Sequence, residues 1–65
     1  MKIEINGSRV EVVANTLEAA LAEQGFTDKA VATAVNGEFV PRAARATLTL
    51  RDGDRVEVLA PMQGG

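Results

Sequence analysis

Residues 2–5, Lys-Ile-Glu-Ile, alternate polar and apolar, the period of a strand with one buried face. Asn6-Gly7 follows, and both residue types tolerate positive φ, which makes the pair a strong signal for a two-residue hairpin turn. Residues 9–13 alternate again and are expected to pair back antiparallel. The period then changes. Leu17, Ala20, Leu21 and Gln24 fall at i, i+3, i+4 and i+7, and Ala19 and Ala22 add helix propensity, so one helix is predicted over residues 16–24. Asn15 stands where a helix cap belongs, with Glu18 three residues on, as in a capping box. Gly25 sits where a left-handed C-terminal cap is needed, and Phe26 is placed to fold back onto the helix end.

Residues 31–35 read as a third strand, Asn36-Gly37 as a second hairpin turn and residues 38–40 as a short return strand. Pro41 has no N–H to give to a ladder, so pairing stops there or lies on an edge. Residues 42–46 show neither period. Residues 47–50 alternate as a further strand, Asp52-Gly53-Asp54 makes a turn, and residues 55–58 alternate as the final strand. Ile3, Ile5, Val10, Val12, Leu48, Leu50, Val56 and Val58 are expected to point inward onto Leu17 and Leu21. Lys2, Glu4, Glu11, Thr49 and Glu57 then fall on a solvated face, which antiparallel sheets tolerate. The order predicts an α+β domain over residues 1–59, with a sheet of four to five strands packed on one helix. Residues 60–65 show neither period and are expected to form a flexible tail.

Composition narrows the function. A chain of 65 residues is one domain, and one this short buries only about 60% of the surface its unfolded form exposes. Phe26 and Phe39 are the only aromatics, so the core is aliphatic and thin. Cys and His are absent, which removes disulfides, zinc sites of the usual ligand types, thiol nucleophiles and imidazole bases. The net charge is -2 and the seven basic residues are scattered among nine acids, which argues against a nucleic-acid footprint. No apolar run approaches the roughly 18 residues of a membrane span. The chain is polar from Lys2 onward, so no secretory leader is expected and the cytoplasm is the expected location. Asp52 and Asp54 are better read as turn residues than as an acid pair, and Lys2 and Lys29 as surface cations than as Schiff-base lysines.

The chemistry that remains lies at the C-terminus. At an average glycine usage of about 7%, two terminal glycines arise by chance in roughly one chain in 200. Gly64-Gly65 has no side chain, so it can enter a channel too narrow for any other pair, and it reaches backbone angles closed to other residues. With residues 60–63 it makes an arm of up to about 20 Å. Its tip is an α-carboxylate that is ionised at neutral pH. A long arm with a reactive tip, and no catalytic side chains behind it, has the design of a substrate.

The residues also resemble a known family. The matching segments are Met1 to Gly7, Ala34 to Arg42 (Ala-Val-Asn-Gly-Glu-Phe-Val-Pro-Arg), Asp52 to Val58 (Asp-Gly-Asp-Arg-Val-Glu-Val) and the closing Met62-Gln63-Gly64-Gly65. Together they resemble the sulfur carriers of thiamine biosynthesis, the small β-grasp partners of thiazole synthase. Residues 42–45, Arg-Ala-Ala-Arg, lack the Trp that several relatives carry there. The resemblance implies a ubiquitin-like β-grasp fold and a carrier that is not itself an enzyme. It implies that the Gly65 carboxylate is adenylated by a separate ubiquitin-activating-enzyme-like adenylyltransferase, which uses ATP and magnesium. A persulfide donor then converts the adenylate to a thiocarboxylate, whose sulfur goes to thiazole formation. Gly64 would thread the partner's channel. Apart from the resemblance, alternation with inward Val56 and Val58 is expected to turn Leu59 outward beside Pro61, Met62 and Gln63, a candidate docking patch for the partners. No cofactor or metal bound by this chain is implied. Three other readings stay open at this point. One is a carrier for molybdopterin synthesis or tRNA thiolation. Another is a modifier joined through Gly65 to target lysines, and the last is a passive interaction domain.

Overall fold

Both Asn-Gly pairs turn the chain as their chemistry predicts. Asn6 and Gly7 have φ of 51° and 83°, and Asn36 and Gly37 have 51° and 85°. Positive φ at both central positions is the type I′ arrangement, whose twist matches that of the flanking strands. The computed structural model describes residues 1–27 and 31–60. The first turn joins β1 (Lys2–Ile5) to β2 (Ser8–Glu11), and the second joins β3 (Ala32–Val35) to β4 (Glu38–Val40). β5 (Arg55–Leu59) enters between the two hairpins, parallel to β1 and antiparallel to β3. The result is a mixed sheet in the order β2-β1-β5-β3-β4.

Helix α1 (Leu17–Glu23) carries its apolar stripe onto one face of this sheet. Leu17, Ala20 and Leu21 are buried against Ile3, Ile5, Val12, Val40, Leu50, Val56 and Val58. Burying each of the larger of these side chains contributes about 1.5–3 kcal/mol. Val10 and Leu48, expected inside, are only partly buried at the margin of this cluster. The helix ends as predicted. Gly25 takes φ of 88°, and the N–H groups of Phe26 and Gly25 donate to the carbonyls of Leu21 (2.8 Å) and Ala22 (3.1 Å). This is the double hydrogen bond of a Schellman cap, and Phe26 is drawn back onto the core.

The helix start differs from the expectation. Thr16, not Asn15, is the cap: it is extended at φ -115°, and its Oγ1 accepts from the Ala19 N–H at 3.3 Å. Thr16 is bridged to Thr49, and the Leu17 N–H donates to the Leu48 carbonyl. These contacts hold residue 16 extended and start the helix one residue later. Glu18 therefore falls one position short of the capping-box site.

Two strand expectations are also corrected. Residues 47–50 form no strand, only the single bridge of Thr49 to Thr16. Their alternation is real, since Leu50 is buried and Thr49 exposed. The Thr47 and Leu48 N–H groups donate back to the Ala44 carbonyl, and only Leu48 and Leu50 bond to residues 15–17, a stretch too short for a ladder. The second strand stops at Glu11 rather than continuing to residue 13. Val12 stays in the core, while Val13 is 94% exposed and its N–H donates to the Glu23 carboxylate at the end of α1.

Residues 42–46, without a period in the sequence, contain a short 3₁₀ turn (Arg42–Ala44) followed by a buried cation. Arg45 is 7% exposed. Its Nε donates to Thr33 Oγ1 at 3.0 Å and its Nη2 to the Val31 carbonyl, while Thr33 Oγ1 donates to the Val40 carbonyl at 2.9 Å. The Arg45 carbonyl accepts the Glu18 N–H at the start of α1. One side chain thus ties the 3₁₀ turn to β3, as a buried polar group must be satisfied.

Candidate functional site

The reactive end expected from the sequence is approached from β5. Val56 and Val58 of this strand are buried, so alternation sends Arg55, Glu57 and Leu59 to the face opposite the helix. Leu59 is 64% exposed, as expected of a residue on that face. Pro61, Met62, Gln63, Gly64 and Gly65 lie outside the described residues.

Leu59 has apolar company. It stands opposite Ala32 in the β3–β5 register, and Ala34 stands opposite Phe39 across the β3–β4 pair. Phe39 is 71% exposed. Leu59, Ala32, Ala34 and Phe39 therefore make an apolar strip on one half of the outer face, with a shallow groove between Phe39 and Leu59 that Glu57, opposite Ala34, also lines. On the other half, Glu4 stands opposite both Arg9 and Arg55, and Lys2 opposite Glu11. Opposite charges placed across strands in this way hold a solvated face together weakly. The outer face is thus divided, with charges over β2, β1 and Arg55 and Glu57 of β5, and the apolar strip over β3, β4 and the end of β5. Phe39 was not singled out by its sequence. Its alternation with inward-pointing Val40 just before Pro41 was the available signal.

Asp52 and Asp54 are turn residues, as expected. The Asp52 carboxylate accepts the Lys2 N–H at 2.7 Å. The Asp54 carboxylate accepts the Arg51 N–H at 2.8 Å and Asn36 Nδ2 at 3.0 Å. Both close the turn around Gly53, whose φ is 91°. Among the described residues, no group of three or more acidic, Cys or His side chains is placed to hold a metal. Lys2 is exposed on the outer face, and Lys29 lies outside the described residues.

Comparison with known proteins agrees with this architecture. Residues 3–65 match the model of the ThiS family. The chain is 41% identical over 61 residues to the sulfur carrier protein ThiS of Thermus thermophilus, covering 94% of this chain and 95% of that protein. It is 39% identical over 66 residues to a thiazole synthase of Paramagnetospirillum magneticum, where all of this chain matches but spans only 20% of that protein. The crystal structure of the thiamine biosynthesis protein ThiS from Geobacter metallireducens superposes with a TM-score of 0.82 at 32% identity, with both chains fully covered. The solution structure of a thiamine biosynthesis protein from the same organism gives 0.73 at 33% identity, covering all of this chain and 88% of that one. The ubiquitin-like β-grasp expected from the resemblance is the fold found. A family match from residue 3 to residue 65, joined to this identity and this shared fold, means that the chain belongs to the ThiS family of sulfur carrier proteins.

Proposed function

We propose that this chain carries sulfur for thiazole formation in thiamine biosynthesis on the carboxylate of Gly65. The observation that carries the reading is that the family match runs through residue 65, so Gly64-Gly65 lies inside the family's span. Similarity to a protein named thiazole synthase supports that enzyme as the acceptor-side partner.

The chemistry belongs to the partners. A Gly65 carboxylate oxygen attacks the α-phosphorus of ATP held with magnesium on a separate adenylyltransferase, and pyrophosphate leaves. The acyl-adenylate is a better electrophile than the carboxylate. A persulfide sulfur displaces AMP, and a thiol cleaves the sulfur–sulfur bond to leave the thiocarboxylate. Delivery of that sulfur to the thiazole precursor regenerates the carboxylate, so the chain is a recycled co-substrate rather than an enzyme. Its own contribution is position, because misplacement of a reacting atom by even 1 Å can cost on the order of a hundredfold in rate. Gly64 fits a channel with no room for a Cβ.

Residues 60–65 act in this reading as a flexible arm leaving the domain of residues 1–59. Leu59 is proposed as a docking residue, with Pro61, Met62 and Gln63 beside it in sequence. The apolar strip that Leu59 shares with Phe39 supports this. An ATP-using adenylating partner would support a cytoplasmic location. Among the described residues, no helix is long and apolar enough to cross a membrane.

Intact-protein mass measured after incubation with ATP, magnesium, the adenylyltransferase and a sulfur source tests the reading. The expected result is a gain equal to the exchange of one oxygen for one sulfur. An unchanged mass contradicts it, and an isopeptide-linked product points instead to a modifier.

A further inference from the structure

β5 is clamped at both ends by asparagine side chains, one from each Asn-Gly turn. At its start, Asn36 Oδ1 accepts the Arg55 N–H at 2.9 Å and the Asn36 N–H donates to the Arg55 carbonyl at 2.7 Å. At its end, the clamp is made by a carboxamide alone. The parallel ladder between β1 and β5 pairs Glu4 with Arg55 and Ile5 with Val56. The Asn6 N–H then donates to the Val56 carbonyl at 2.9 Å, and the chain turns away at Asn6-Gly7. Val58 lies one ladder step further on, beyond the reach of the β1 backbone. There Asn6 Oδ1 accepts the Val58 N–H at 2.8 Å, and Asn6 Nδ2 donates to the Val58 carbonyl at 3.1 Å. The carboxamide supplies one donor and one acceptor, as a peptide group would. On the opposite side of β5, Leu59 pairs with Ala32, the last step of that ladder.

The turn does not by itself require asparagine. Glycine satisfies a positive φ at this position equally well. Aspartate tolerates the turn but brings no donor, and would set a carboxylate oxygen against the Val58 carbonyl. Glutamine is one methylene longer. Only asparagine both makes the turn and continues the ladder.

We propose that Asn6 is a positioning residue for the carrier's reaction. Its carboxamide holds Val58 in the sheet and so fixes where, and in which direction, the C-terminal arm leaves the domain. The inference rests on the reading of Gly65 as the reacting end. Without the latch, the end of β5 is held on the β3 side alone, and a partner has to order additional backbone before Gly65 reaches its active site.

The test is the rate of adenylation by the adenylyltransferase with ATP and magnesium, measured against carrier concentration. Asn6→Gly keeps the turn and removes the carboxamide, while Asn36→Gly makes the same change at the far end of β5. For Asn6→Gly the KM for the carrier should rise about fivefold to thirtyfold, the effect of ordering one more backbone residue, with kcat within about twofold of the parent. Asn36→Gly should lower Tm comparably and leave KM unchanged. An unchanged KM for Asn6→Gly, or an equal rise for Asn36→Gly, overturns the proposal, because a loss of fold stability alone does not separate the two ends of the strand. The parent chain gives a second test that needs no variant. Its Val58 amide should exchange with solvent as slowly as the backbone-paired amides of the sheet, and exchange at the rate of an unstructured peptide overturns the latch. A parent chain that is not adenylated overturns the carrier reading and this one with it. That outcome is distinct from failure of the latch, which is read only against an active parent.

Discussion

Arg45 is held by Thr33 and Val31, residues 12 and 14 positions away along the chain. Removing its side chain leaves the Val31 carbonyl and the acceptor capacity of the Thr33 hydroxyl without their donor, Thr33 being 2% exposed. Arg45→Ala is expected to cost about 1–3 kcal/mol in a urea melt, the penalty of buried polar groups left unpaired. A loss below about 0.5 kcal/mol would mean that the guanidinium contributes nothing net to the fold. Leu17, Ala20 and Leu21 were legible as core residues because helical spacing is a local signal, written within one turn of chain. Arg45 was not, because a lone arginine in an aperiodic stretch carries no mark of the distant carbonyl and hydroxyl that satisfy it. The same holds for Asn6. Its place in a turn was legible, but the use of its carboxamide depends on Val58, 52 positions away.

At the scale of elements, the ends of the structures were harder to read than their existence, except at residues 42–50, where a 3₁₀ turn was not foreseen and an expected strand did not form. The helix cap shows why. Asn15 and Thr16 are both good capping types, and the choice between them is made by the bridge from Thr16 to Thr49, which no local pattern records. Thr16→Ala should therefore cost about 0.5–2 kcal/mol, while Asn15→Ala should be nearly neutral by the same thermal or urea melt. The reverse order would restore Asn15 as the cap. Residues 47–50 are the complementary case: their alternation reports burial correctly, but burial alone does not make a ladder. β5 was legible to within one residue, including the outward direction of Leu59. In the docking reading, Leu59→Asp puts a charge beside Phe39 on the outer face and disturbs no buried contact. It should leave Tm nearly unchanged, since surface changes usually stay within about 0.5 kcal/mol, and it should weaken binding to the adenylyltransferase. Unchanged binding in a calorimetric titration would remove Leu59 from the docking surface.

At the scale of the whole molecule, two hairpins, a helix and a late central strand bring the last strand between the first and the third, so β5 ends in the middle of the sheet. The α+β class followed from the order of periods, but the insertion of β5 between the two hairpins did not. Parallel pairing of β1 with β5 is fixed by contacts spanning most of the chain, and the resemblance to a known family supplied what periodicity could not. The candidate site was the reverse. The chemistry proposed for it starts from Gly64-Gly65, because a terminal carboxylate needs no neighbour to be recognised, whereas the apolar strip beside the strand end required the register of three strands.

The central claim is that the reacting group is the carboxylate of Gly65. Deleting Gly65 retracts that carboxylate by one residue, about 3.5 Å. Every residue of the described core is kept, so stability should stay within about 0.5 kcal/mol of the parent. The direct measurement is the intact mass of parent and truncated chains, followed over time with ATP, magnesium, the adenylyltransferase and a sulfur source. The parent should exchange one oxygen for sulfur, while the truncated chain, equally folded, should not. Acquisition of sulfur by the chain lacking Gly65 at the parent's rate would contradict the account.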